Sequence, residues 1–295
     1  MTIVLTGHSG LIGSALLDLI KKELHHIQAF VVTRRNVVEG NHVDLFGEER
    51  IQFINIDDLN TIEGFEIDFV INLSGYSSSS DDFEAMEKLV DANIFFPQKI
   101  LYTLCGQNKV KYYLNFASFS EYSQDGTLLP NYLYSASKTA FLSFLKYYSS
   151  NYNFKILNLV LFSVYGGSGR TKRFYDYLLD SVASDKPIEL GDPNVSLDWV
   201  HVDDVANWLI LLVCGRIDLS KISAVHTDVF LGTGVSTSLL EFSDILQNSM
   251  GEKFNITWNS ELGRNHSIKY VRAPIEKNSG FMKWAPRKLK DIYGK

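Results

Sequence analysis

The sequence predicts an α/β fold, a doubly wound parallel sheet with a smaller, partly interleaved C-terminal domain. Short apolar runs alternate with longer runs of helical periodicity up to Tyr165. A glycine-rich turn at residues 6–13 joins the first strand-like run to the first helix-like run. Beyond Tyr165, glycines and prolines interrupt the alternation, so the domain change is expected there.

The regular segments follow in a simple order. The predicted strands span residues 3–5, 27–33, 51–56, 68–73, 112–117 and 155–164, and the predicted helices span residues 11–24, 82–105 and 134–152. Further helices are expected near residues 174–183 and 205–214, with a short strand at residues 229–231. Strands that alternate with helices in this way form a parallel sheet that is covered on both faces.

The turn at residues 6–13 has the glycine spacing of a dinucleotide site. Gly7 allows a tight turn out of the strand, Gly10 lets the backbone approach a pyrophosphate, and Gly13 lets the helix lie close to the sheet. The free N–H groups and positive dipole at the helix start then face the anion. Because a strand precedes the loop and a helix follows it, nucleotide binding is favoured over a plain tight turn. The expected contacts are Gly7, Ser9, Gly10, Leu11, Ile12 and Gly13.

Composition and charge exclude several classes of function. The net charge of −6 over 295 residues argues against a nucleic-acid or anionic-membrane partner, because either needs a concentrated basic surface. The longest apolar run, residues 208–214, is far shorter than a membrane span. Cys105 and Cys214 lie in apolar helical stretches without metal-ligand spacing, so we expect small buried residues and no metal. The first strand begins at residue 3, so no signal peptide and a cytoplasmic location are expected.

Tyr134 and Lys138 stand four residues apart, on one face of a predicted helix. Chance alone supplies such a pair, but this one opens the helix after the fifth strand, and Ser118 ends that strand. A phenol with a pKa of about 10 is a poor proton shuttle at neutral pH, and a nearby cation lowers that pKa by ~1–3 units. We therefore expect Lys138 to activate Tyr134 and Ser118 to hydrogen-bond the reacting oxygen. The alternative is a surface tyrosine beside a solvated lysine.

With these motifs the chain resembles the extended short-chain dehydrogenase/reductase family of sugar-nucleotide epimerases, dehydratases and reductases. The resemblance covers nearly the whole length. Besides the glycine loop and the Ser118/Tyr134/Lys138 triad, it is carried by residues 72–75 (Asn-Leu-Ser-Gly), Asn93, residues 164–166 (Val-Tyr-Gly), residues 198–204 and residues 231–234. It implies a Rossmann sheet and hydride exchange between a nicotinamide and a sugar carbon.

The pattern of segments predicts the division into domains, and the family resemblance implies a dimer. Residues 1–165 and 200–233 are expected to form the dinucleotide-binding domain, and residues 166–199 and 234–295 the substrate domain. A homodimer is expected through the helices at residues 82–105 and 134–152. Further cofactor contacts are expected at Leu73, Ser74, Gly75, Asn93 and Val164, in addition to Tyr134 and Lys138.

Arg34 and Arg35 indicate which nicotinamide cofactor is used. Enzymes that prefer NAD usually place an acid after the second strand to hold the ribose 2′-hydroxyl, whereas this chain places two arginines there. Guanidinium groups suit a 2′-phosphate, and no acid is seen nearby in the sequence, so NADP is expected. Two solvated loop arginines are the alternative. By family analogy Asp57 or Asp58 contacts the adenine, although a solvated carboxylate is an open alternative.

Departures from the family pattern indicate the reaction. Phe119 and Ser120 stand where related 4,6-dehydratases carry an acid pair, and Glu121 is expected to face the other side of an extended segment. Ser118 precedes Tyr134 by 16 residues (134 − 118), an interval closer to the 4-keto sugar reductases. The leading hypothesis is therefore NADPH-dependent reduction of a nucleotide-linked 4-keto-6-deoxy sugar for surface polysaccharides. An NAD-dependent epimerase and a non-catalytic NADP-binding regulator are the alternatives.

The substrate contacts are harder to assign. Ser118, Phe119, Ser120 and Ser163 are expected beside the sugar. Family members often carry arginines where this chain has Val160 and Leu197, so other cations must hold the diphosphate. The available cations are Arg170, Lys172, Arg173, Arg264 and Arg272.

Overall fold

The structure is a computed structural model that describes residues 1–34, 50–107, 109–123, 126–167, 171–222, 225–262 and 268–294. In chain order its strands are β1 Thr2–Thr6, β2 Gln28–Thr33, β3 Ile51–Asn55, β4 Glu66–Asn72, β5 Lys109–Ser118, β6 Lys155–Leu161, β7 Ser163–Tyr165, β8 Ile188–Leu190, β9 Ser196–His201, β10 His226–Leu231, β11 Ser236–Ser238 and β12 Ile256–Trp258. Its helices are α1 Leu11–Glu23, α2 Phe83–Val90, α3 Phe96–Gln107, α4 Leu133–Tyr152, α5 Phe174–Val182, α6 Val202–Val213, α7 Leu239–Met250 and α8 Leu289–Tyr293.

The central sheet of the described residues has seven parallel strands in the order β10-β6-β5-β4-β1-β2-β3. Apolar residues of α1 and α6 pack on one face, and those of α3 and α4 pack on the other. The predicted doubly wound α/β fold is therefore confirmed. The strand order reverses between β1 and β4, which is where a sheet of this type opens a crevice for a ligand at its carboxyl edge.

Two predicted elements differ in the structure. The expected single strand at residues 155–164 is wrong, because β6 ends at Leu161 and β7 pairs with β9 in a separate sheet. The buried Phe162 lies at the break and stacks on Phe119 with ring centroids 5.8 Å apart. The expected helix at residues 82–105 is interrupted by a π-helical segment, Asp91–Phe95, between α2 and α3. Such segments frequently mark functional sites.

A second core lies outside the main sheet. It gathers Tyr165, Trp199 and Phe242, with the Trp199 and Phe242 rings 4.3 Å apart. Asp198 is fully buried and connects this region to two other segments. It accepts hydrogen bonds from the N–H groups of Thr233 (2.6 Å) and Gly234 (2.8 Å), which follow β10, and of Ala273 (2.9 Å).

The division into two domains stays a prediction. Among the helices of the described residues, none combines the length and apolar character needed to cross a membrane.

Candidate active site

In the glycine loop after β1, close backbone contacts within the protein leave no room for a side chain at Gly7 or Gly13. Gly7 has φ +72°, which side-chain-bearing residues rarely adopt, and a Cβ there would lie 2.4 Å from the Leu73 carbonyl carbon. A Cβ at Gly13 would lie 2.1 Å from the Gly7 oxygen, whereas one at Gly10 would lie 3.3 Å from it. Gly10 caps α1 without a side-chain bond, and the first turn carries no acid. This bare helix start fits the pyrophosphate of a dinucleotide.

Polar side chains at the ends of β1 and β4 fix the floor of the crevice. Thr6 Oγ1 donates to Asn72 Oδ1 (2.8 Å), Ser74 Oγ donates to the same oxygen (2.6 Å), and the Ser74 N–H donates to Thr6 Oγ1 (3.1 Å). The hydroxyl of Ser74, an expected cofactor contact, is thus engaged within the fold. Thr6 and Asn72 were not predicted as site residues, although each is a polar residue that ends an apolar strand.

The expected cofactor residues Gly75, Asn93 and Lys138 meet at the carboxyl end of β4. Asn93, in the π-helical segment, accepts the Tyr76 N–H (2.8 Å) and donates to the Tyr76 carbonyl (2.9 Å) and to Ser137 Oγ (2.8 Å). A Cβ at Gly75 would lie 3.1 Å from Asn93 Oδ1 and 3.3 Å from Lys138 Nζ. The Lys138 ammonium therefore reaches the cofactor crevice from α4.

Ser118 is held by the turn that follows β5. Its hydroxyl lies 2.9 Å from Ser120 Oγ and accepts the Ser120 N–H at 3.2 Å. The segment is not extended as expected, because Phe119–Glu121 forms a 3-10 turn. Glu121 therefore turns back, and its Oε1 accepts a hydrogen bond from the Ser118 N–H at the end of β5 (2.8 Å). Its Oε2 accepts a hydrogen bond from the Thr139 hydroxyl on α4 (2.9 Å). The Ser-x-x-Glu spacing of a capping box is the sequence signal for this turn.

The electrostatics of Tyr134 differ from the expectation. Desolvation raises the pKa of Tyr134 to about 12, the negative charge of Glu121 adds to the rise, and Arg173 opposes it. The prediction that Lys138 brings this pKa toward neutrality is wrong, because burial dominates and the opposing cation is Arg173. Burial lowers the pKa of Lys138, and Glu121 opposes that shift. At neutral pH the Tyr134 phenol is protonated and is set to donate a proton.

Arg173, which precedes α5, lies beside the glycine loop. Its Nη1 donates to the Val164 carbonyl at 3.3 Å, and Leu11, Val164 and Arg173 line one pocket. A Cβ at Gly167 would lie 3.1 Å from Leu11 Cδ1, so the chain after β7 lies against the loop. Two expected cofactor contacts and one expected substrate cation are thus brought together.

An acid, Asp91, lies near Arg34 after β2, contrary to the prediction that no acid is near the arginines. Arg34 Nη1 is 3.6 Å from Asp91 Oδ2, and its guanidinium lies 5.3 Å from the centre of the Phe96 ring. Asp57 pairs with Lys99 beyond β3, and Asp58 is exposed beside it. The neighbouring Arg35 lies outside the described residues.

Two of the other expected substrate residues are described, and two are not. Arg272 Nε donates to the Gly234 carbonyl (2.9 Å), and its Nη2 lies 3.5 Å from Glu276. Ser163 begins β7 and is half-buried. Arg170 and Arg264 lie outside the described residues.

Comparison with known proteins gives consistent results. The NAD-dependent epimerase/dehydratase family matches residues 3–216. CDP-abequose synthase from Salmonella typhimurium is 26% identical over 294 residues, covering 96% of this chain and 93% of that protein. The CDP-abequose synthase of Yersinia pseudotuberculosis is 28% identical over 218 residues, covering 72% of this chain and 73% of that protein.

A solved structure shows the same fold. The UDP-glucuronic acid 4-epimerase of Bacillus cereus, in complex with UDP-glucuronic acid and NAD, superposes with a TM-score of 0.82 at 22% identity. The superposition covers 99% of this chain and 98% of that chain. The family match includes the glycine loop, Ser118, Tyr134 and Lys138, so the resemblance inferred from these motifs is confirmed. The chain therefore belongs to the NAD-dependent epimerase/dehydratase family of extended short-chain dehydrogenase/reductase enzymes.

Proposed function

We propose that the protein reduces a nucleotide-linked 4-keto-6-deoxy sugar with NADPH, in the synthesis of surface polysaccharides. The observation that carries this proposal is that Glu121 joins the end of β5, with Ser118, to the helix that carries Tyr134 and Lys138, while Phe119 and Ser120 supply no acid for elimination. Both oxygens of the adjacent Glu121 carboxylate are hydrogen-bonded within the protein. We assign proton transfer to the sugar oxygen to Tyr134, whose raised pKa keeps the phenol protonated at neutral pH.

Residues of the chain orient the substrate carbonyl, donate the proton and place charge beside the cofactor. Bound NADPH supplies the hydride that is delivered to the keto carbon. The Ser118 hydroxyl, fixed by Ser120, orients the carbonyl oxygen, and Tyr134 donates its proton to that oxygen. Lys138 places a positive charge beside Gly75 and Asn93, where the nicotinamide ribose is expected. The positive charge of Arg173 favours the phenolate that proton donation leaves.

Cofactor preference is part of the proposal. Arg34 and Arg35 would hold the 2′-phosphate of NADPH, and Asp57 or Asp58 would contact the adenine. Asp91 beside Arg34 is the observation that favours the second candidate, an NAD-dependent sugar-nucleotide epimerase, because a carboxylate there disfavours a phosphate.

The substrate class is supported by the relatives. The CDP-abequose synthases are named for a CDP-linked sugar, so CDP-linked 4-keto deoxyhexoses are the first compounds to test. The diphosphate would be held by Arg173 together with cations not yet assigned, among which are Arg170, Arg264 and Arg272.

Cofactor balance separates the candidates. The protein is incubated with NADPH and a panel of CDP-, UDP- and dTDP-linked ketosugars, and the products are identified by mass spectrometry. We expect one NADPH to be oxidised for each ketosugar reduced. Interconversion of two non-keto sugars without net cofactor change would support the epimerase instead, and cofactor binding without turnover of any sugar would support a regulator.

A homodimer is also proposed, through α2, α3 and α4. Large aromatic side chains stand exposed on these helices, with Phe83 69%, Tyr102 75% and Tyr147 63% exposed. An apolar surface of this kind is typical of an interface. Analytical ultracentrifugation should give twice the chain mass, and Tyr102→Glu should shift the protein toward monomer. A parent chain that sediments as a monomer at every concentration contradicts the proposal.

A further inference from the structure

Glu121 is a buried carboxylate that the proposed mechanism does not use. Its exposure is 1%, although a glutamate is almost never fully buried unless it is paired. Among the described residues no cation makes an ion pair with it within 4 Å, and its partners are the Ser118 N–H and the Thr139 hydroxyl. Burial of a charged group without a direct counterion is unfavourable, so the position calls for an explanation.

The two bonds join the two halves of the catalytic constellation. Capping the 3-10 turn needs only the oxygen that accepts from Ser118. The second oxygen reaches across to α4 and accepts from Thr139, the residue that follows Lys138. One side chain therefore fixes the strand end that carries Ser118 to the helix that carries Tyr134 and Lys138.

We propose that Glu121 is a positioning residue for the reaction, which holds Ser118 against α4 and supplies the negative charge that balances Lys138 in the buried site. This inference rests on the proposed function for its kinetic part only. The charge balance concerns the protein alone and can be measured without any substrate.

The surrounding charges set the direction of the effect. Burial raises the pKa of Glu121, Lys138 opposes that rise, and Asp228 of β10 adds to it. The charge of Glu121 acts in turn to raise the pKa of both Lys138 and Tyr134, while Arg173, which precedes α5, acts to lower that of Tyr134. Loss of the Glu121 charge should therefore lower both pKa values. Lys138 would then lose its proton at a lower pH.

Three variants separate charge, bond and general stability. Glu121→Gln removes the charge and keeps the shape, whereas Thr139→Val removes the bond to α4 and keeps the charge. Asp218→Asn is the matched control, because Asp218 also caps a three-residue 3-10 turn, Leu219–Lys221, outside the site. The titration of Lys138 is followed by NMR of protein labelled with ¹³C-lysine, and its signal is identified by its loss in Lys138→Met.

We expect the Lys138 midpoint to fall by roughly 0.5–1 pH unit in Glu121→Gln and to stay in place in Thr139→Val and Asp218→Asn. With a ketosugar as substrate, kcat should fall by about tenfold or more in Glu121→Gln. The alkaline limb of the plot of kcat against pH should move to lower pH. Thr139→Val should lose ~3–10-fold in kcat with an unmoved limb and an unchanged NADPH Kd.

Unchanged Lys138 titration in a folded Glu121→Gln overturns the charge role, and parental kcat in Thr139→Val overturns the positioning role. If Glu121→Gln does not fold, Thr139→Val still decides the positioning role. If Lys138 titrates as expected while the unmodified protein reduces no ketosugar, the charge role holds and the proposed function fails. If the unmodified protein reduces a ketosugar and Glu121→Gln does so equally well, the inference fails alone.

Discussion

The contact between Arg34 and Asp91 makes a quantitative prediction about cofactor choice. The two side chains are 47% and 71% exposed and 3.6 Å apart, so their attraction contributes about 0–1 kcal/mol. Charge-assisted hydrogen bonds from Arg34 to a 2′-phosphate contribute ~1.5–3 kcal/mol. Subtracting the lost pairing with Asp91 leaves ~0.5–3 kcal/mol. From the middle of that range, ~1–2 kcal/mol, Arg34 should favour NADPH over NADH by roughly 5–30-fold in Kd.

Two opposite substitutions test this balance. Arg34→Ala should weaken NADPH by roughly 5–30-fold and leave NADH nearly unchanged, and addition of Arg35→Ala should bring the total loss of preference to ~2–4 kcal/mol. Asp91→Asn removes the competing charge and should tighten NADPH by about 2–5-fold. Both affinities are measured by nicotinamide fluorescence titration at fixed ionic strength, because salt screens exposed charges.

The refuting results are specific. If Arg34→Ala weakens NADPH and NADH equally, Arg34 acts through its packing over Phe96 and not through a phosphate. If Asp91→Asn leaves NADPH binding unchanged, the acid does not compete for Arg34. If the unmodified protein binds both cofactors equally, the NADP prediction is wrong and the epimerase alternative gains support.

Three further substitutions follow from the geometry of the site and the core. Tyr134→Phe removes only the proton donor, so turnover should fall by ~10²–10⁴-fold while the NADPH Kd stays close to normal; a variant that keeps most of its activity would mean that another acid serves. Gly13→Ala places a Cβ 2.1 Å from the Gly7 oxygen, so the loop must shift, and cofactor affinity should fall at least tenfold by titration; parental affinity would contradict the role of this close approach. Asp198→Ala leaves the N–H groups of Thr233, Gly234 and Ala273 without their acceptor, so urea denaturation should show ~3–5 kcal/mol less stability, and a loss below about 1 kcal/mol would show that the loops rearrange.

Local pattern was sufficient to predict the framework of this site. The spacing of Gly7, Gly10 and Gly13 between a strand and a helix predicts the loop, because the steric demands act between near neighbours in sequence. Tyr134 and Lys138 lie on one helix, so their separation fixes their common orientation. The order of apolar segments likewise predicts the parallel sheet.

Features that depend on distant contacts could not be read in the same way. Asp91, in the π-helical segment, approaches Arg34 from a position 57 residues away (91 − 34), so their separation in sequence does not predict the contact. The break at Phe162 falls within the mainly apolar stretch of residues 155–164, where the stacking of Phe162 on Phe119 and the pairing of β7 with β9 reveal it. The high pKa of Tyr134 reflects desolvation in the assembled site, which the spacing to Lys138 does not predict.

Transfer of a label from cofactor to sugar tests the central claim most directly. The protein is given a CDP-linked 4-keto deoxyhexose and NADPH that carries deuterium at the transferable position of C4 of the nicotinamide. The proposed reductase should place one deuterium on C4 of the sugar and form one NADP⁺ per product, and Tyr134→Phe should suppress both together. A product that forms from a non-keto nucleotide sugar, without deuterium from the added cofactor and without NADPH oxidation, would contradict the reductase assignment.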